Sequence, residues 1–165
     1  MAVVTVSGTN VGNLDAAPPV VNDVTLMGAR VRSQIETVEI TNGDSIGSTY
    51  RLGRIPSNAS VLSIRLLCDA VTSAAADIGL YQTASNGGAV VAASAYGSAV
   101  SLASANTTGI EVAFEARNVD KVRNKVWQDA GLSADSIRHY DLVATLTAAA
   151  TASGTLSAVI QYAVD

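Results

Sequence analysis

The chain is poor in the side chains that catalysis and metal binding draw on. It has one cysteine, Cys68, which excludes an internal disulfide and any multi-cysteine zinc site. It has one histidine, His139, so a Ser-His-Asp or Cys-His arrangement depends on that residue alone and no histidine-rich metal site can be assembled. Positive charge is scarce as well. Ten Lys+Arg against fourteen Asp+Glu leave a formal charge of -4, so no field steers the chain towards nucleic acid or an anionic membrane. Apolar stretches are broken by Ser, Thr, Gly or a charge well short of the ~18 residues that a membrane-spanning helix needs. The opening MAVVTVSGTNVGNLD has neither a basic stretch nor a signal-like apolar run, so synthesis in the cytoplasm is expected.

What the chain does have is an abundance of Ala, Ser, Thr, Gly and Val, with aromatics at only 4%. That palette favours thin, closely packed β-layers over a helical bundle. At 165 residues the chain suits one core, because a domain of this size buries roughly two thirds of its unfolded surface without disulfides or metal. The first 25 residues stand apart. A possible short strand at Val3 to Val6 runs into Gly, Asn and the pair Pro18-Pro19, which discourage regular structure. The division expected is an extended N-terminal arm over 1–25 and one β-domain over 26–165.

Within that domain, short runs alternate with period two between turn residues. The runs are Gln34 to Ile40, Ser48 to Ile55, Ser60 to Cys68, Asp77 to Gln82, Ile110 to Ala116, Tyr140 to Thr147 and Thr155 to Val164. The last two, joined by AAATASG, read as a hairpin. NVDKVRNKVWQDAG breaks the pattern: Val119, Val122 and Val126 recur at helical spacing between a capping Asn118 and Gly131, which predicts an α-helix over about 119–130, with Trp127 anchoring it over one end of the domain. The fold class expected is therefore all-β: a two-sheet antiparallel β-sandwich, jelly-roll-like, with one inserted helix and the arm.

The stretch YRLGRIPSNASVLSIRLLC, residues 50 to 68, reads as two paired strands around Pro56-Ser57-Asn58. That register sets Tyr50 opposite Ile64 and makes Arg51 and Arg65 diagonal neighbours on the outer face. Two such cations need a carboxylate between them, from this chain or from a partner, which makes Arg51 and Arg65 candidate interface residues.

Nothing else amounts to a site. Cys68 shares a face with Leu62, Ile64 and Leu66 and reads as a small buried side chain. Glu36 and Glu39, or Glu111 and Glu115, are the carboxylate pairs that glycoside hydrolysis would require; Glu111, Ala113 and Glu115 read as a solvated face. Asp44, Asp69 and Asp77 lack EF-hand spacing, and Gly87-Gly88 precedes no helix that could hold a phosphate. No catalytic, metal-binding or cofactor-binding residue is assigned, and an enzyme is not expected.

Several segments together are familiar: YRLGRIPSNASVLSIRL, DIGLYQ followed by NGG, KVWQDAGLSAD, and HYDLVATLTAAATASGTL ending in IQYAVD. In order and residue type they resemble the small virion structural proteins of tailed bacteriophages that decorate or cement the capsid shell. The likeness runs from about Glu36 to Asp165 and leaves the arm outside it. It implies a non-enzymatic, metal-free β-domain on the capsid exterior, with the major capsid protein as partner and a homo-oligomer, most often a trimer, as the working form. The arm residues Val3, Val4, Thr5 and Val6 then become candidate interface residues, since an extended segment can add a strand to a neighbour's sheet edge. The competing expectation is a carbohydrate- or receptor-binding β-sandwich of a phage particle.

Overall fold

The computed structural model describes residues 4–24 and 26–164. Its strands are β1 (Arg30–Ile40), β2 (Thr49–Pro56), β3 (Ser60–Cys68), β4 (Ala75–Gln82), β5 (Val90–Ser101), β6 (Asn106–Glu111), β7 (His139–Ala148) and β8 (Gly154–Val164). They form two four-stranded sheets, ordered β1-β8-β3-β6 and β2-β7-β4-β5, with every neighbouring pair antiparallel. Only β4 and β5 are consecutive strands that pair; every other link crosses from one sheet to the other. That is the jelly-roll arrangement of an all-β sandwich.

Period-two alternation produces it. Ile64 and Leu66 on β3, Leu156, Ala158 and Ile160 on β8, Leu52 and Ile55 on β2, and Tyr140, Leu142 and Leu146 on β7 all face inward and are at most 1% exposed. The sheets close over one continuous core.

Two hairpins expected from the sequence are corrected. β2 and β3 lie in opposite sheets, so Tyr50 pairs with Ala144 of β7 and Ile64 with Ile160 of β8. β7 and β8 are likewise in opposite sheets, and Ala150 in their link exchanges backbone hydrogen bonds with Gly43 and Asp44. The reason is general: alternation fixes which side chains face the core, and it is the same whether a turn folds a strand back in its own sheet or arches it across to the other.

The run Ile110 to Ala116 is also corrected, since β6 ends at Glu111 and both Val112 and Ala113 are fully buried. Glu111 causes the change of direction: Oε1 accepts the amides of Ile64 and Ala113, each at 2.9 Å, and curls the chain inward. The expected helix over 119–130 is broken in two. A 3-10 segment, Val119–Arg123, and a single α-turn, α2 (Val126–Asp129), are separated by extended backbone at Asn124 and Lys125. Val126 is the buried anchor and donates its amide to Ala59, while Trp127 is only half-buried. Tertiary bonds to the 57–59 loop replace the helical ladder. The N-terminal segment is not wholly extended either: Thr9–Asp15 form a short helix, α1, with no buried residue.

Candidate functional site

Cys68 and the carboxylates of Glu39, Glu111 and Glu115 are occupied by the fold. Cys68 is 5% exposed, and burial pushes its thiol pKa up, away from the reactive thiolate. Glu111 Oε2 takes the Ser63 hydroxyl in addition to two amides, Glu115 takes the amide of Ser98 at 2.6 Å, and Glu39 takes the hydroxyl of Thr155 at 2.6 Å. His139 is exposed at the start of β7. Among the described residues no three His, Cys, Asp or Glu side chains gather where they could hold a metal ion.

The polar feature with real geometry is on the outer face of the β2–β7 pair. Asp141 is 3% exposed at its side chain and receives Arg51 Nη1 at 2.5 Å and Arg54 Nε at 2.7 Å, while the two arginines remain 45% and 54% exposed. Residues three apart on a regular strand face opposite ways. Here a bulge between Arg51 and Gly53 adds a residue and turns both arginines to the same face. Gln34, reaching across from β1, holds the bulge by donating to the Arg54 carbonyl at 2.7 Å and accepting its amide at 3.1 Å. Glu36 lines the shallow cleft in front of this trio. On the other side of Arg54 lies a polar cleft of about 370 Å³ walled by Thr83, Ser85, Ser136, Arg138 and His139.

Of the arginine pair expected from the sequence, Arg51 finds its carboxylate within the chain. Arg65 is elsewhere, on the outer face of the other sheet, opposite Glu111 in register and lying over Gly109. The two are not neighbours. Arg54 and Asp141 were missed because plain alternation puts Arg54 on the face opposite Arg51; the glycine following Leu52 was the available sign of a bulge.

The apolar feature is the N-terminal segment and the surface it leans on. Val4, Val6, Val11, Leu14, Val20, Val21 and Val24 are each at least half exposed, as is Val119, and Leu62 is 38% exposed. Val4, Thr5 and Val6 are in no regular structure, and Val3 lies outside the described residues. The segment touches the sandwich where Arg123 donates to Asn10 at 3.1 Å, and a cleft of about 400 Å³ opens between α1, β3 and the 3-10 segment. The outer face of β1 beside it exposes Val31 and Ile35. Uncovered apolar side chains are concentrated here.

Fold and surface together define an all-β jelly roll with an exposed apolar segment on one side and an arginine–aspartate cluster on the other sheet. No protein-family model matches the chain, and no curated protein matches it. Among solved structures it is similar to a chain of the cyanophage Pam1 capsid asymmetric unit, at 16% identity and a TM-score of 0.54, covering 84% of this chain and 88% of that one. At that identity the likeness shows the fold, and the two coverages make the chains similar in length.

Proposed function

We propose that this protein is a non-enzymatic structural component of a phage particle, which decorates and stabilises the capsid by binding its outer surface as a homo-oligomer. The observation that carries the reading is the jelly roll shared, over nearly the full length of both chains, with a member of a capsid asymmetric unit. Two features of the chain support it. The carboxylates of Glu39, Glu111 and Glu115 and the thiol are tied up in structural roles. Its exposed apolar side chains gather on the N-terminal segment and the adjoining sheet face, where an assembling protein needs them.

In this reading the domain is residues 26–165, the N-terminal arm makes contacts to neighbours, and the major capsid protein is the partner. A trimer is the form that the family resemblance favours, and the capsid exterior is the location. Co-sedimentation of the purified protein with purified capsids tests it: saturable binding at a fixed ratio to the shell protein is expected, and protein left in the supernatant rejects it.

The cleft beside Arg54 favours a second reading, a carbohydrate-binding module, because three hydroxyls, Thr83, Ser85 and Ser136, converge there with Arg138. Binding on a glycan array, lost on Arg138→Ala, would support that alternative.

A further inference from the structure

The cleft between the N-terminal segment and the sandwich is incomplete as it stands. Its apolar walls are the side chains of Val11, Leu26, Leu62 and Val122, and Asn10 and Arg123 line it as well. Ser60, which also lines it, is 1% exposed, and its hydroxyl has no hydrogen-bond partner among the described residues. Buried polar atoms are rarely left so, because the lost hydration is not repaid. Apolar walls suit a short aliphatic side chain carried on an extended backbone.

A segment of that description leaves from the cleft's own rim. Gly8 lines the cleft, and just before it Val4 and Val6 are 77% and 87% exposed. Among the described residues, nothing holds residues 4–7 by a hydrogen bond. In extended chain Val4 and Val6 point to the same side, about 7 Å apart, and Thr5 to the other. No ionisable side chain occurs before Asp15, and no carboxylate lines the cleft. Copies of a chain with a net charge of -4 repel one another in general, so an uncharged segment meeting a cleft that has no carboxylate and one cation, Arg123, is where they can approach.

We infer that this cleft receives the Val4–Thr5–Val6 segment of a second copy of the chain. The inference rests on the assembly role proposed above and names its contact. Giving and receiving surfaces differ, so the contact is heterologous: each copy inserts its segment into one neighbour and accepts that of another, and a small number of copies closes a ring. Leu62, on the cleft wall and 38% exposed, is covered by the same neighbour.

The test mixes two full-length variants, Val6→Cys and an affinity-tagged Leu62→Cys, under mild oxidation. Both positions are exposed, so neither change threatens the core, and the native Cys68 is 5% exposed and silent. The expected product is a mixed disulfide between the two chains, in excess over either like-with-like disulfide. Native mass measurement is expected to show a closed oligomer for the unmodified protein and a monomer for Val4→Asp/Val6→Asp, with an unchanged circular dichroism spectrum. Like-with-like disulfides alone, an oligomer unaffected by the aspartates, or a monomeric unmodified protein overturns the inference. So does cross-linking of Val6→Cys to a shell protein instead of to its own kind when capsids are present. Mixed disulfides without capsid co-sedimentation leave this inference standing and remove the proposed function, while co-sedimentation without mixed disulfides does the reverse.

Discussion

Arg117 and Asp129 are joined at 2.6 Å almost entirely out of water, their side chains 4% and 1% exposed. Every polar group around the pair is used. Arg117 also donates to the carbonyls of Ala113 and Val61, and its guanidinium lies 4.3 Å from the Phe114 ring centre and 5.3 Å from that of Tyr96. Asp129 also accepts Tyr96 Oη and Asn124 Nδ2, each at 3.1 Å. The pair pins the whole excursion between β6 and β7 to the sandwich. Removing one partner strands the other charge in the interior, so Asp129→Ala is expected to cost about 3–5 kcal/mol, read from urea midpoints. Replacing both with Met and Leu is expected to cost much less than the single change, because no buried charge is left behind.

The trio on the β2–β7 face is a surface cluster in which Arg51 and Arg54, half in solvent, cover Asp141. Asp141→Asn leaves two cations that water can still hydrate, and Arg51→Ala/Arg54→Ala opens the carboxylate to the cleft it lines, so both changes are expected to lower stability only slightly and in a salt-dependent way. A loss in chemical denaturation as large as that of Asp129→Ala would contradict this placement.

These two clusters also mark what was legible in the sequence. The core was: Leu52, Ile64, Leu142 and Ile160 face inward as their alternation requires. Strand partners were not, since nothing in the alternation of residues 50 to 68 distinguishes an arch from a hairpin. β5 was invisible for a physical reason. Its pairing with β4 shifts register at Ile78 and again at Leu80, so VVAASAYGSAVS carries no clean period of two. Asp77 and Glu115 take the amides of Ala99 and Ser98 in that irregular stretch, bonds that join residues 22 and 17 apart and leave no local motif. The Arg54–Asp141 contact depends on a bulge and stayed hidden with it.

That irregular pairing gives a third prediction. A Cβ on Gly79 would sit 2.1 Å from the Ala93 carbonyl oxygen and 2.2 Å from that of Ala92, both backbone atoms of β5. Gly79→Ala therefore has to push β5 away from β4. A loss of about 3 kcal/mol is expected, together with faster amide exchange along Val90 to Ser101. Unchanged exchange there would argue against the close approach.

Tyrosines set the alkaline limit. Burial raises the pKa values of Tyr50, Tyr96 and Tyr140, assisted by hydrogen-bonded Asp44 at Tyr50 and by the charges of Asp129 at Tyr96 and Asp135 at Tyr140. The unfolded chain then loses these protons first, near pH 10, and binds fewer of them than the folded state. Stability is thus full below pH 10 and declines above it. At the other extreme, Asp44 is held below its usual value by the Tyr50 hydroxyl and the Thr41 amide, so its contribution is present above about pH 4 and is lost as the pH falls through its lowered value. Tyr50→Phe is expected to weaken both dependences. Thermal midpoints from about pH 2 to about pH 11 provide the readout, and a flat profile above pH 10 would contradict the assignment.

The most direct test of the central claim is the protein content of purified phage particles from the source of this sequence, measured by quantitative mass spectrometry and by antibody labelling of intact particles. A structural decoration protein is present in fixed ratio to the major shell protein, and antibodies reach it without opening the particle. Absence from the particles, or a copy number unrelated to that of the shell, would contradict the account.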